Sequence, residues 1–120
     1  MIKGTMLVSV WSEDNKNLVP FYRDIVGLQL VGDNPGFAVF ANSDGAMVLG
    51  VGTHSDVHGA NREPARHIIG LETTDIHVDF LRMKDAGVEF VEEPNVQGPA
   101  WVATFKDPEG NLLQLQQFAA

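Results

Sequence analysis

The stretch Phe105-Lys106-Asp107-Pro108-Glu109-Gly110-Asn111-Leu112-Leu113-Gln114-Leu115 decides how the chain is read. It predicts strand, tight turn, strand. Pro108 presets its own φ and Gly110 tolerates positive φ, so Asp-Pro-Glu-Gly-Asn folds back on itself. Past the turn, alternation puts Leu113 and Leu115 on one face and Leu112, Gln114 and Gln116 on the other. Upstream, residues 101–106 complete the hairpin, 94–99 read as a loop and 88–91 as a strand. Before them Thr74 caps a helix that turns Ile76, Phe80, Leu81 and Met83 inward and stops at Gly87. Residues 67–71 form the strand ahead of that helix. The order is β-α-β-β-β.

The amino-terminal half has the same order. Residues 4–11 predict a strand with Leu7, Ser9 and Trp11 on one face and Met6, Val8 and Val10 on the other. Leu18, Phe21, Tyr22 and Ile25 fall at helical spacing, with Asn17 as N-cap, Pro20 in the first turn and Gly27 as the terminator. Strands follow at 28–31, 37–42 and 46–51, with turns at 33–36 and 43–45. Shifted by 60 residues, residues 25–30 lie over 85–90; shifted by 65, Ser43-Asp44-Gly45 lies over Pro108-Glu109-Gly110. Recurrence of both glycines and of the element order implies an internal duplication. The expected organisation is one α+β domain over 1–120: module 1 at 1–51, a linker without apolar periodicity at 52–66, and module 2 at 67–120. Each half is too small to bury a good core alone. The two sheets are therefore expected to curl around a shared cup with helices outside, a setting in which small ligands bind.

Composition narrows the partners. Apolar residues make up 44% and charged residues 20%, ordinary for a soluble globular chain. Eight Lys+Arg against 16 Asp+Glu give a net charge of −8, and the cations are scattered, so nucleic acid and anionic membrane surfaces are not expected partners. No apolar run is long enough to span a bilayer, and the start lacks a signal-peptide pattern, which makes the cytoplasm the expected compartment. The lack of cysteine removes disulfides, thiolate metal sites and cysteine nucleophiles. There is no phosphate-binding glycine loop opening a helix and no serine in a nucleophile elbow.

Three stretches together resemble the vicinal oxygen chelate superfamily, which includes glyoxalase I, bleomycin resistance proteins, extradiol dioxygenases and fosfomycin resistance proteins. The first is Phe21-Tyr22-Arg23-Asp24-Ile25-Val26-Gly27-Leu28 after a strand. The second is Glu72-Thr73-Thr74-Asp75-Ile76 leading through Lys84-Asp85-Ala86-Gly87-Val88-Glu89-Phe90. The third runs from Asp107 to Leu115. The resemblance implies paired βαβββ modules, often in a homodimer. Members that do metal chemistry carry His, Gln or Glu at four strand positions facing the cup. These match Leu7, Leu49, Ile68 (or His67 by the 60-residue offset) and Gln114. One or two donors do not hold a divalent ion, so no cofactor is expected. The alternative is Zn, Fe, Mn or Ni on His67 and Gln114.

The cup is expected to be lined by Leu7, Ser9, Trp11, Met47, Leu49, Ile68, Trp101 and Gln114. The tryptophans offer stacking area and the Gln114 amide fixes orientation; the competing role for both rings is to fill a core or a dimer interface. Glu72, in phase with Ile68, is a candidate base if desolvated, although a glutamate just before a helix more often neutralises the helix dipole. His67 is the other candidate base, or an ordinary partly exposed histidine. His54 and His58 are four apart in a segment that reads as linker, where that spacing does not converge two imidazoles. His77 falls on the helix's polar side, and Tyr22 in the core. The function expected is metal-independent binding of a small apolar or aromatic molecule, similar to bleomycin-resistance-type proteins. The alternative is an enzyme: a metal-dependent lyase, isomerase or dioxygenase, or a metal-free one using Glu72 or His67.

Overall fold

The repeat read from the sequence reappears in the strand pairing. The computed structural model describes residues 1–118, which leaves the last two residues of the expected second module outside the described residues. The chain divides into two units, Met1–Gly59 and Ala60–Ala120. The first carries β1 (Val8–Ser12), β2 (Gln29–Asn34), β3 (Phe37–Ala41) and β4 (Met47–Thr53), ordered β1-β4-β3-β2. The second carries β5 (Ile69–Glu72), helix α1 (Ile76–Asp85), β6 (Phe90–Gln97), β7 (Ala100–Lys106) and β8 (Leu112–Phe118), ordered β5-β8-β7-β6. In each sheet the first and last strands pair in parallel and the other pairs are antiparallel. Each sheet is four-stranded and mixed, and the fold is α+β.

In the first unit a helical segment joins β1 to β2, as the apolar spacing predicts, but it is not a plain α-helix. Asp14 caps a 3-10 turn at Asn15–Asn17, its carboxylate accepting from the Lys16 N–H at 3.1 Å. After Pro20 the chain winds as a π-helix over Phe21–Val26. The Tyr22 carbonyl accepts from the Gly27 N–H at 3.2 Å, a five-residue span that widens the turn. Gly27 ends the segment at φ 88°, a left-handed conformation that glycine adopts without a Cβ penalty. Leu18 and Tyr22 are fully buried, and the Tyr22 ring lies 6.2 Å from that of Phe40 on β3. Each such side chain contributes about 1.5–3 kcal/mol over an exposed one. β1 begins at Val8, not at residue 4, and β4 runs on to Thr53, two residues into the expected linker.

The second unit shows α1 capped by Asp75, whose carboxylate accepts from the Val78 N–H at 3.2 Å; Thr74 does not cap it. Ile76, Phe80 and Met83 are buried at i, i+4 and i+7, while Leu81 is 64% exposed and not inward as its apolarity predicts. Residues 94–97 are strand rather than loop. Bulges in the β6–β7 pairing and the edge position of β6 accommodate Pro94, which has no N–H to give to a ladder. The Asp107 turn is as read: Oδ1 accepts from the N–H groups of Glu109 and Asn111 at 2.9 and 3.0 Å. Gly110 takes φ 83°.

Candidate functional site

Each sheet buries one face against its helical segment and leaves the other open, and the strand register says which side chains share each face. In the first unit Val8, Leu49 and Phe40 form one transverse row, and Val10, Val51 and Ala38 the next. Of these Leu49 is 3% exposed and Val51, Ala38 and Phe40 are fully buried, so this is the helix side. The rows between them define the open face: Ser9, Gly50, Val39 and Gly32, then Trp11, Gly52 and Phe37.

Glycine shapes this face. A Cβ on Gly50 would stand 2.5 Å from Phe37 Cζ, and one on Gly52 would run into the Trp11 ring and stand 2.8 Å from Phe37. The two rings therefore lie over bare backbone, centroids 5.6 Å apart and tilted by 32°. His54 sets its imidazole edge-on to Trp11 at 5.5 Å, held there as its Nδ1 accepts from the Asp56 N–H at 3.1 Å. That bond leaves the proton of the neutral ring on Nε2. Trp11 stays 42% exposed.

In the second unit the helix side holds Phe105 and Leu113 in one row and Ala103 and Leu115 in the next. The open face carries Gly70, Gln114, Thr104 and Glu92 in a single row across all four strands, followed by Glu72, Gln116 and Val102. This face is polar and internally bonded. Gln116 Nε2 donates to Gln114 Oε1 at 3.3 Å, Gln114 Nε2 to Thr104 Oγ1 at 3.2 Å, and Thr104 Oγ1 to Glu92 Oε1 at 3.1 Å.

Of the residues expected to line a cup, Ser9 and Trp11 share the first open face, and Gln114 lies on the second. Leu7 and Ile68 immediately precede β1 and β5, and Met47 opens β4 at 62% exposure. Two expectations are corrected. Leu49 belongs to the buried helix side, because a bulge where Ala41 meets Met47 and Phe40 meets Leu49 absorbs one residue of β4. Trp101 also faces the helix, in phase with Ala103 and Phe105, its ring 4.9 Å from His77 on α1. His77 is thus packed on a tryptophan rather than simply turned to solvent. Glu72 shares the Gln114 face but is exposed, and His67 is exposed beyond the 3-10 turn Pro64–Arg66. The sequence reading places His54 in a linker and gives no role to Phe37, Gly50 and Gly52. The G-V-G run in an apolar strand was the available signal for the floor.

Matching row to row, the internal counterpart of Gln114 is Gly50, not Leu49. The positions that the resemblance implies for metal ligands then fall on Leu7 and Gly50 in the first unit and on Ile68 and Gln114 in the second, and of these side chains Gln114 alone carries a donor atom. That set does not fit a divalent ion. Among the described residues no three His, Asp or Glu side chains gather as a metal site would.

A separate groove of about 490 Å³ lies in the first unit between the helical segment and the β2–β3 hairpin, lined by Lys16, Val19, Arg23, Asp33 and Pro35 among others. Its Arg23 is committed to a bidentate pair with Asp24 at 2.8 and 2.9 Å. Those hydrogen bonds, and then the charge, hold the Asp24 carboxyl below the usual carboxylate range and raise the Arg23 guanidinium. No expected site residue lines this groove. No helix among the described residues is long and apolar enough to cross a membrane.

Comparison with known proteins matches residues 7–115 to the model of the Glyoxalase/Bleomycin resistance protein/Dioxygenase superfamily. Uncharacterized protein YetH of Bacillus subtilis (strain 168) is 29% identical, over 98% of this chain and 100% of that protein. Among solved structures, TnmS3, an antibiotic binding protein from Streptomyces sp. CB03234, is similar at 25% identity and TM-score 0.77, with 98% of each chain covered. A member of the same superfamily from Sphaerobacter thermophilus DSM 20745 is similar at 23% identity and TM-score 0.78, again over 98% of each chain.

Proposed function

The chain belongs to the glyoxalase/bleomycin resistance protein/dioxygenase superfamily, and within it we propose that it is a metal-independent binder of a small, flat, apolar or aromatic molecule. The observation that carries this reading is the glycine floor beneath Trp11 and Phe37. Two glycines in a paired inner strand weaken the strand and give up side-chain burial. What they provide is room for two rings to rest on the backbone, one of them still 42% exposed. Such a surface stacks a planar ligand, worth about 0.5–1.5 kcal/mol beyond the area it covers. The Nε2–H of His54 at the ring's edge adds one directed polar contact. The likeness to an antibiotic binding protein supports a small organic ligand. The donor-poor set Leu7, Gly50, Ile68 and Gln114 supports binding without metal.

The test is calorimetric titration of the purified protein with the planar probe 2-methoxynaphthalene. Trp11→Ala is expected to weaken binding about tenfold, and Trp101→Phe by less than twofold, since Trp101 packs on α1. Equal affinity in Trp11→Ala and wild type would sink the reading. We read the protein further as a cytoplasmic homodimer, for which a sedimentation coefficient of a monomer at micromolar concentration is the refuting result.

A further inference from the structure

The groove between the helical segment and the β2–β3 hairpin lies within the first unit and shares no residue with the open face that carries Trp11. At about 490 Å³ it has the size of a small-molecule site. Lys16, Val19, Pro20 and Arg23, at i, i+3, i+4 and i+7, supply one side, and Asp33 and Pro35 of the hairpin lie on the other. Part of the first side is the π turn over Phe21–Val26, a rare conformation that recurs at functional sites. Val19 is buried, so the apolar part of the lining is backed by the core, and the two prolines stiffen both sides.

The charges of this groove are held apart instead of paired. Among the described residues neither the Lys16 ammonium nor the Asp33 carboxylate makes a hydrogen bond or an ion pair. Arg23 is half used. Its Nε and Nη2 donate to the two carboxylate oxygens of Asp24, which lies outside the lining. That leaves the second edge of the guanidinium fork, formed by Nη1 and the other N–H of Nη2, without a partner. Asp24 thus orients the fork without filling it. Asp33 is near enough for its charge to act on the guanidinium, and yet it does not bond to it. A plain anion entering the groove meets Asp33, and a plain cation meets Lys16 and Arg23. A molecule that carries both charges satisfies both sides.

We propose that this groove binds a free α-amino acid with an aliphatic side chain, as its zwitterion. The open fork edge of Arg23, together with Lys16, takes the carboxylate; Asp33 takes the ammonium; Val19, Pro20 and Pro35 take the side chain. The site is separate from the aromatic face, and its existence does not depend on what that face binds.

The test is an NMR titration of the isotope-labelled protein at neutral pH with L-leucine, which has no flat ring to stack on Trp11. L-leucine is expected to shift the amide signals of Lys16, Arg23, Asp33 and Gly36 saturably. It is expected to bind about fivefold or more tightly than N-acetyl-L-leucine, which lacks the ammonium, and than L-leucinamide, which lacks the carboxylate. Arg23→Gln is expected to remove most of the advantage over L-leucinamide, and Asp33→Asn most of the advantage over N-acetyl-L-leucine. Both side chains are exposed, and the same spectra report whether each variant keeps the fold. N-acetyl-L-leucine binding as well as L-leucine would make the groove a plain anion site and overturn the proposal, and L-leucinamide doing so would make it a plain cation site with the same result. Shifts that never saturate, shifts confined to residues outside the groove, or a ratio that stays at the wild-type value in either variant overturn it as well.

Discussion

The open faces of the two sheets occupy the same rows of the same topology and have taken opposite chemistries. Where the first unit sets Trp11, Gly52 and Phe37, the second sets Glu72, Gln116 and Val102. Where the first has Ser9, Gly50, Val39 and Gly32, the second has Gly70, Gln114, Thr104 and Glu92. Glycine moves with the large group it serves: beneath rings in one sheet, beneath an amide in the other. The helix sides have not diverged in kind. Both are aromatic and aliphatic, with Tyr22 on Phe40 in one, and Phe80 on Phe90 and Phe90 on Phe105 in the other. The buried face is constrained by packing density, and the open face is free to specialise.

The largest effect that would break this comparison comes from the residue that separates the two faces of the first sheet. Leu49→Ala is expected to lower stability by about 2–5 kcal/mol in urea unfolding, because Leu49 is core. A loss under about 1 kcal/mol would move Leu49 to the open face and undo the register on which the row-by-row match depends.

Smaller effects sharpen the contrast between the two glycine floors. Gly52→Ala forces the rings of Trp11 and Phe37 aside and is expected to cost about 1–3 kcal/mol, with a change in Trp11 emission measured in a Trp101→Phe background. Gly70→Ala meets only the Gln116 amide, which has to give by a few tenths of an ångström, and is expected to cost under about 1 kcal/mol. Equal losses at the two positions would mean that the floors are not specialised.

The smallest effect lies off the sheets, in the exposed pair Arg23–Asp24. A carboxylate held below its usual range stabilises the fold above its unfolded pKa, and the contribution disappears as pH falls through the lowered value. Arg23→Gln is expected to return the Asp24 titration toward the ordinary carboxylate range by NMR. The thermal midpoint at neutral pH stays unchanged, because an exposed pair is screened.

What the sequence makes legible is local. Gly27, Gly45, Gly87 and Gly110 mark their turns and all take positive φ, and Asp107 to Asn111 closes with its own side chains. From these the duplication and the βαβββ order follow. The phase of a strand after a bulge is not local. Counting four residues from Gly45 reaches Leu49 and from Gly110 reaches Gln114, but the bulge at Met47 to Leu49 shifts one count and not the other. A one-residue slip exchanges the two faces of a strand. The phase of Trp101 is hidden in the same way, because residues 94–97 have a loop's composition and form a bulged edge strand. His54 carries no periodic signal, since a single bond from the Asp56 N–H holds its ring.

The parallel pairing of first and last strands in each unit also orders events in time. β2, β3 and β4 are joined by short turns and can assemble as soon as they leave the ribosome, and the same holds for β6, β7 and β8. β1 and β5 emerge before their partners exist and wait through nearly a whole module for β4 and β8. Closing that loop carries the larger entropy cost. The strand that carries Trp11 is thus expected to dock after the strands that follow it, with the aromatic face completed only when its unit is.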